Sequence, residues 1–139
     1  MSKKIKLLVV EDNEDERMFI KEGLTATGLF EVLAEAGNGD ELLELLKQPS
    51  LVPEMVLSDL RMPGKNGYDV LTEVKHNESF AHIPIVILST APDIPFAERC
   101  KKLGACAYFT KPDTFLEYED FGQMMYDAVI HKCFKRPQA

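Results

Sequence analysis

The chain has 139 residues, a formal net charge of −7 and three cysteines. That length suits one domain with a core of its own, needing no disulfide or metal staple. The acidic balance, without any basic tract, excludes the phosphate-tracking surface of a nucleic-acid binder, and no apolar run approaches the ~18 residues of a membrane span.

Ile5 to Val10 is a short apolar run rich in branched residues and reads as a buried strand. From Glu14 to Thr27, Met18, Phe19, Ile20 and Leu24 recur at helical spacing, and Gly28 supplies a stop. Glu31 to Glu35 is a second strand, broken by Gly37-Asn38-Gly39. Asp40 to Lys47, rich in leucine, is a second helix that ends before Pro49. Met55 to Ser58 is the third strand and Gly67 to His76 the third helix, with Val70, Leu71 and Val74 on one face. Ile83 to Ser89 is the fourth strand, its proline tolerated near the start. Phe96 to Leu103 is a fourth helix stopped by Gly104, and Cys106 to Phe109 a fifth strand. The stretch Phe115 to Phe134 carries a fifth helix striped by Phe121, Met124, Met125, Ala128 and Val129. Lys135 to Ala139 reads as a frayed tail.

Strands alternating with helices in this way predict an α/β fold. Its parallel sheet is doubly wound, with crossover helices on both faces. Continuous rather than alternating apolar strands fit a sheet covered on both sides. One domain is expected, with a core from about residue 5 to residue 134.

In an open parallel sheet, ligands bind beyond the carboxyl ends of the strands. The first strand ends in Glu11-Asp12, the third in Asp59, the fourth in Ser89-Thr90, and the fifth is followed by Thr110-Lys111-Pro112. These polar residues are far apart in sequence, yet the topology brings them to one edge. Three carboxylates together repel unless a cation relieves them. An all-oxygen set suits Mg²⁺, Lys111 and a hydroxyl add donors for an anion, and an aspartate can be a phosphoryl acceptor. The chemistry so assembled is phosphoryl transfer to a carboxylate.

The segments "VVEDNEDER", "VLSDLRMPGKNGYDVL", "IPIVILSTA" and "AYFTKPDTF", in this order, resemble the receiver domain of two-component response regulators. The likeness covers Ile5 to about Phe134. It implies a (βα)5 sheet in the flavodoxin-like order 2-1-3-4-5. It implies Asp59 as phosphoacceptor, Asp12 and Asp59 as direct Mg²⁺ ligands, Glu11 assisting through water, and the backbone carbonyl of Arg61 as a further ligand. Thr90 would bond the phosphoryl group, Lys111 would pair with it, and Tyr108 would be the switch aromatic. The Lys111-Pro112 bond would be cis. Arg61 and Pro92, two residues beyond Asp59 and Thr90, occupy positions that tune phosphoryl lifetime in the family. The stretches "HNESFAHIPIVILSTA" and "KPDTFLEYEDF" are similar to the subgroup containing cyanobacterial phytochrome regulators. Implied partners are a sensor histidine kinase, a histidine phosphotransfer protein or another protein target, and a second copy through the fourth-helix to fifth-helix face. Neither nucleic acid nor membrane is among them.

Plainer readings exist for single residues. Glu11-Asp12 or Asn13 can cap the first helix, Glu14, Asp15 and Glu16 read as solvated face, and His76, His82 and His131 have no ligand spacing. An aspartyl-phosphate phosphatase would need a second acid where Arg61 stands, and a flavin carrier would not follow its first strand with "EDNEDE". A receiver-like binding module that has lost phosphate chemistry would lack some of the acids, the hydroxyl or the lysine, and all are present. Cys100, Cys106 and Cys133 lack CxxC spacing and read as reduced thiols of a cytosolic protein, Cys106 as a small buried hydrophobe. The short apolar stretch after MSKKIK is no secretory signal. A cytoplasmic location is expected, with no enzymatic activity beyond self-catalysed phosphotransfer and dephosphorylation.

Overall fold

In the computed structural model, residues 4–90 and 94–134 are described. Pro92 and the tail Lys135 to Ala139, both singled out above, lie outside them. The elements in chain order are β1 (Ile5–Val10), α1 (Glu14–Ala26), β2 (Phe30–Ala36), α2 (Gly39–Leu46) and β3 (Met55–Asp59), then α3 (Gly67–Lys75), β4 (Ile85–Ser89), α4 (Ile94–Lys102), β5 (Ala107–Thr110) and α5 (Tyr118–Lys132). A 3₁₀ turn, Phe115–Glu117, leads into α5. All strands pair in parallel, in the order β2-β1-β3-β4-β5.

The apolar strands are explained by two cores, one on each face. Leu7 and Val9 of β1, Met55 and Leu57 of β3, and Val86 and Leu88 of β4 pack with Ile20 and Leu24 of α1 and Phe121, Met125 and Val129 of α5. Their neighbours Leu8, Val10, Val56, Ile85 and Ile87 point the other way, into a core closed by Leu42 and Leu46 of α2, Val70, Leu71 and Val74 of α3, and Cys100 of α4. A strand that faces a core on both sides has no polar side to show. All of β3 and β4 is buried, so the two central strands end in positions where only a site or a cap can accommodate a charge.

Helix starts follow a common device. Asn13, Asn38 and Asn66 each cap a helix, their side chains accepting from the backbone N–H of Glu16, Glu41 and Asp69. Because Asn13 caps α1, Asp12 is left free for another use. β4 begins two residues later than the apolar run. Pro84 has no N–H to give to the ladder, although its carbonyl accepts from Val56 N–H. The Ile83 carbonyl is taken by Lys75 Nζ at 2.7 Å.

The cysteines correct the expectation of three reduced thiols. Cys106 and Cys133 are joined in a disulfide, with Cα atoms 5.7 Å apart, a separation that suits the bond. The fold sets the start of β5 beside the end of α5, a proximity that a spacing of 27 residues does not reveal. Cys100 stays free and buried, and burial pushes its thiol up to about 11. The cytoplasmic expectation therefore loses whatever support it drew from reduced thiols. No helix of the described residues is long and apolar enough to cross a membrane. Closing a loop of this length contributes about 3 kcal/mol to stability. Urea unfolding with and without dithiothreitol is expected to show a loss of that order on reduction, and Cys133→Ser is expected to match the reduced protein.

Candidate functional site

The carboxyl ends of β1, β3, β4 and β5 lie level with one another. Val10 pairs with Ser58, Asp59 with Leu88, and Ser89 with Thr110. The next residue on each strand therefore emerges at the same edge. Glu11 is fixed there by its backbone, its N–H donating to the Ala36 carbonyl and its own carbonyl accepting from Arg17 Nη1 at 2.9 Å. Lys111 is fixed by its N–H to the Ser89 carbonyl, 2.8 Å. The backbone after Asp59 is held by Leu60 N–H on the Leu88 carbonyl and by Gly67 N–H on the Leu60 carbonyl. α3 starts so close to this loop that a Cβ on Gly67 would fall 2.8 Å from Leu60 Cα. The glycine lets the helix press against the segment that carries Asp59.

Glu11, Asp12 and Asp59 offer oxygens that all lie within 4.8 Å of one another. Glu11 and Asp59 are only 1% and 7% exposed, whereas Asp12 faces solvent. Lys111 Nζ lies between the buried pair, 2.7 Å from Glu11 Oε1 and 3.4 Å from Asp59 Oδ1. Burial pushes the Glu11 carboxyl up to about 7, with the Lys111 hydrogen bond pulling it back and the Asp59 charge adding to the rise. Burial also raises Asp59, again opposed by Lys111 and reinforced by Asp12. For Lys111, burial acts to lower the ammonium, but the bond to Glu11 and the charges of Asp59 and Glu11 outweigh it and hold it above its ordinary value. Two crowded, desolvated carboxylates beside a third form an all-oxygen cage short of positive charge. That donor set fits a hard divalent cation.

The other expected residues are placed less tightly. Thr90 stands one residue beyond β4 and is exposed. Tyr108, in β5, is half-buried on the face shared with α3 and α4. Arg61 is exposed, its guanidinium over the Phe96 ring. The Lys111-Pro112 bond is trans, since the described backbone contains no cis peptide. Trans is the intrinsically favoured isomer before proline, and in this backbone Lys111 meets both acids.

One neighbour was not visible beforehand. Tyr118, 2% exposed, donates its hydroxyl to Glu16 Oε2 at 2.8 Å and so ties the start of α5 to α1. Burial, followed by the Glu16 bond, raises its phenol, and the charges of Glu11 and Asp59 also reach it. The Glu16 charge in turn bears on Lys111. A helix-opening glutamate among three acids carries no mark that separates it from solvated face.

The family model described as the response regulator receiver domain matches residues 7–118. Among relatives, the probable chemotaxis protein CheY of Rhizobium etli is 30% identical over 115 residues, covering 82% of this chain and 86% of its own. The transcriptional regulatory protein PdtaR of Mycobacterium tuberculosis is 34% identical over 77% of this chain, which spans 49% of that protein. Against the sensor histidine kinase CheAY of Helicobacter pylori, 31% identical, the chain spans 13% of the longer protein. Among solved structures, the phosphorylated cyanobacterial phytochrome response regulator RcpA superposes with a TM-score of 0.78 at 27% identity, covering 90% of this chain and 93% of that one. The Mn²⁺-bound form of the response regulator Rcp1 shares the fold, with a TM-score of 0.76 at 24% identity, 97% of this chain and 99% of that one being covered.

The raised Glu11 carboxyl has a thermodynamic sign. Its folded value, about 7, lies above the ordinary 4.5, so the folded state binds this proton more tightly. The stability it contributes is present below pH 4.5 and lost as pH rises to 7, and Asp59 shifts in the same direction. In chelator, the protein is expected to melt at a lower temperature at pH 7.5 than at pH 5.5, a difference on the order of 1–3 kcal/mol. Glu11→Gln is expected to flatten that slope. A slope unchanged by Glu11→Gln places the titrating group elsewhere.

Proposed function

This chain belongs to the response regulator receiver domain family, and on that premise we propose that it is a switch in which Asp59 takes a phosphoryl group from the phosphohistidine of a sensor histidine kinase. The observation that supports this reading most is the meeting of Glu11, Asp12 and Asp59 within 4.8 Å around the ammonium of Lys111. Asp59 is the nucleophile. Its carboxylate oxygen attacks phosphorus, the phosphorus–nitrogen bond to the donor imidazole breaks, and an acyl phosphate remains. An ionised, partly desolvated carboxylate is needed for that attack, and Lys111 favours the ionised form. As the phosphoryl group arrives with roughly −1.5 to −2 charge, Lys111 exchanges its bond to Glu11 for one to the new oxygens. Asp12 and Asp59, with Glu11 through water and the Arg61 carbonyl, would hold Mg²⁺, which supplies charge neutralisation at the transferring group.

Thr90 then closes on the phosphoryl oxygens and Tyr108 moves into the space it leaves, so a local charge change is read as a new surface on α4, β5 and α5. RcpA, to which this chain is similar, is a phosphorylated regulator, which supports the phosphoacceptor reading. The unit extends from about residue 5 to residue 134 and acts on no substrate beyond its own Asp59. The output is protein binding, phosphorelay to a histidine phosphotransfer protein, or pairing of two copies through the α4–β5–α5 face. The setting is the cytoplasm, where the kinase domain of a sensor works.

Incubation with acetyl phosphate and Mg²⁺ is expected to label the wild-type chain and not Asp59→Asn, read by intact mass. Equal labelling of both removes Asp59 from the role. Beryllofluoride with Mg²⁺ is expected to shift the elution volume toward a dimer on gel filtration, and an unchanged volume counts against the pairing face.

A further inference from the structure

Cys106 immediately precedes β5, and Cys133 closes the last turn of α5. β5 is an edge strand of the sheet, so the disulfide between them lies at the sheet's margin, and both cysteines are half-buried. They stand at the end of β5 opposite Lys111, about 16 Å away along the strand, and so outside the acidic cluster. Val129 is the last buried residue of α5. Beyond it the chain is held by the partly buried Ile130 and Phe134, by the Cys133 and Phe134 N–H groups on the Val129 carbonyl, and by the cross-link. Cys100 is walled off from the pair: it is 0% exposed and belongs to the core on the other face of the sheet.

We propose that Cys106 and Cys133 form a redox site that exchanges with a low-molecular-weight thiol of the glutathione class, and that its state docks or releases the last turn of α5. Half-burial admits a small thiolate to the sulfurs, which a sealed disulfide would not. In the cytoplasmic setting proposed above, on which the inference rests, a disulfide is a transient or sensing bond and not a fixture. In the reducing direction a glutathione thiolate attacks one cysteine sulfur, the bond between the two cysteines breaks, and the other cysteine leaves as a thiolate. A second glutathione thiolate attacks the glutathione sulfur of that mixed disulfide. Glutathione is oxidised to its disulfide, the protein gains two electrons, and its two thiols take the protons the glutathione thiols gave up. Reclosure is the reverse, with glutathione disulfide as oxidant. The backbone keeps the thiols facing each other for it: Cys106 N–H is held on the Ile85 carbonyl, and a Cα separation of 5.7 Å suits the bond. Release is confined to the turn beyond Val129, because Phe121, Met125 and Val129 keep the rest of α5 on its core. The site is thus a second input to α5, entering at the end of the sheet remote from Asp59.

The full chain, equilibrated with mixtures of reduced and oxidised glutathione, quenched with acid, unfolded, alkylated and weighed intact, tests the exchange. A single alkylated thiol, that of Cys100, is expected in excess oxidised glutathione and all three in excess reduced glutathione, and moving between the buffers is expected to reverse the count. A pair that stays closed in excess reduced glutathione, or one that never closes in the oxidised form, overturns the proposal while leaving Asp59 as acceptor. Hydrogen exchange then tests the release. The amides of Cys133 and Phe134 are expected to exchange on the order of tenfold faster in the reduced chain, with Cys133→Ser exchanging like the reduced chain in either buffer. Equal exchange of these amides in the two states of the wild-type chain overturns the docking role. Neither measurement depends on phosphate uptake, so failure of acetyl phosphate to label Asp59 would remove the acceptor reading alone.

Discussion

The lysine between two buried carboxylates is the interaction around which this molecule is organised. Glu11 and Asp59 are nearly sealed from water, and isolated carboxylates in such places would neutralise themselves by taking protons. Lys111 keeps that from going to completion, at 2.7 Å from one acid and 3.4 Å from the other. The three residues come from the ends of β1, β3 and β5, so the parallel sheet with level strand ends is the condition for the contact. The rest of the architecture, two cores and helices on both faces, covers that sheet on both sides, and the strand register lets the ends coincide.

One positive charge shared by crowded acids leaves the site electrostatically incomplete. A hard cation would complete it on one side, and under the proposed function a phosphoryl group would compete for the same ammonium on the other. The site is therefore sensitive to ligands because its resting arrangement is a compromise, and the raised Glu11 and Asp59 carboxyls record that compromise. A fully satisfied network would hold its shape more firmly and respond less.

Much of this could be read from the chain. Buried strands announce themselves as apolar runs, and helices by the recurrence of Leu42 and Leu46 or Val70 and Val74. The rule that ligands gather at strand ends picked out Glu11, Asp12, Asp59 and Lys111, four residues that the fold does bring together. What stayed hidden depends on packing between distant elements. Cys106 and Cys133 meet because β5 starts where α5 ends. Tyr118 finds Glu16 because α5 lies against α1. Phe96 finds Arg61 because α4 flanks the loop after β3. No spacing encodes any of these. The trans Lys111-Pro112 bond departs from a local habit of the family that a residue pair alone does not enforce.

The two ends of α5 are both fastened, one by the Tyr118 hydroxyl to α1 and the other by the disulfide to the start of β5. A rod pinned at both supports can translate only with what it is pinned to. α4, by contrast, buries a single residue, Cys100, and its neighbouring attachments include two arginine–ring stacks at the surface. The mechanical compliance of the α4–β5–α5 face is thus unequally divided, with α5 as the stiff member and α4 as the soft one. A partner on this face, as proposed above, would meet a fixed rail on one side and an adjustable jaw on the other.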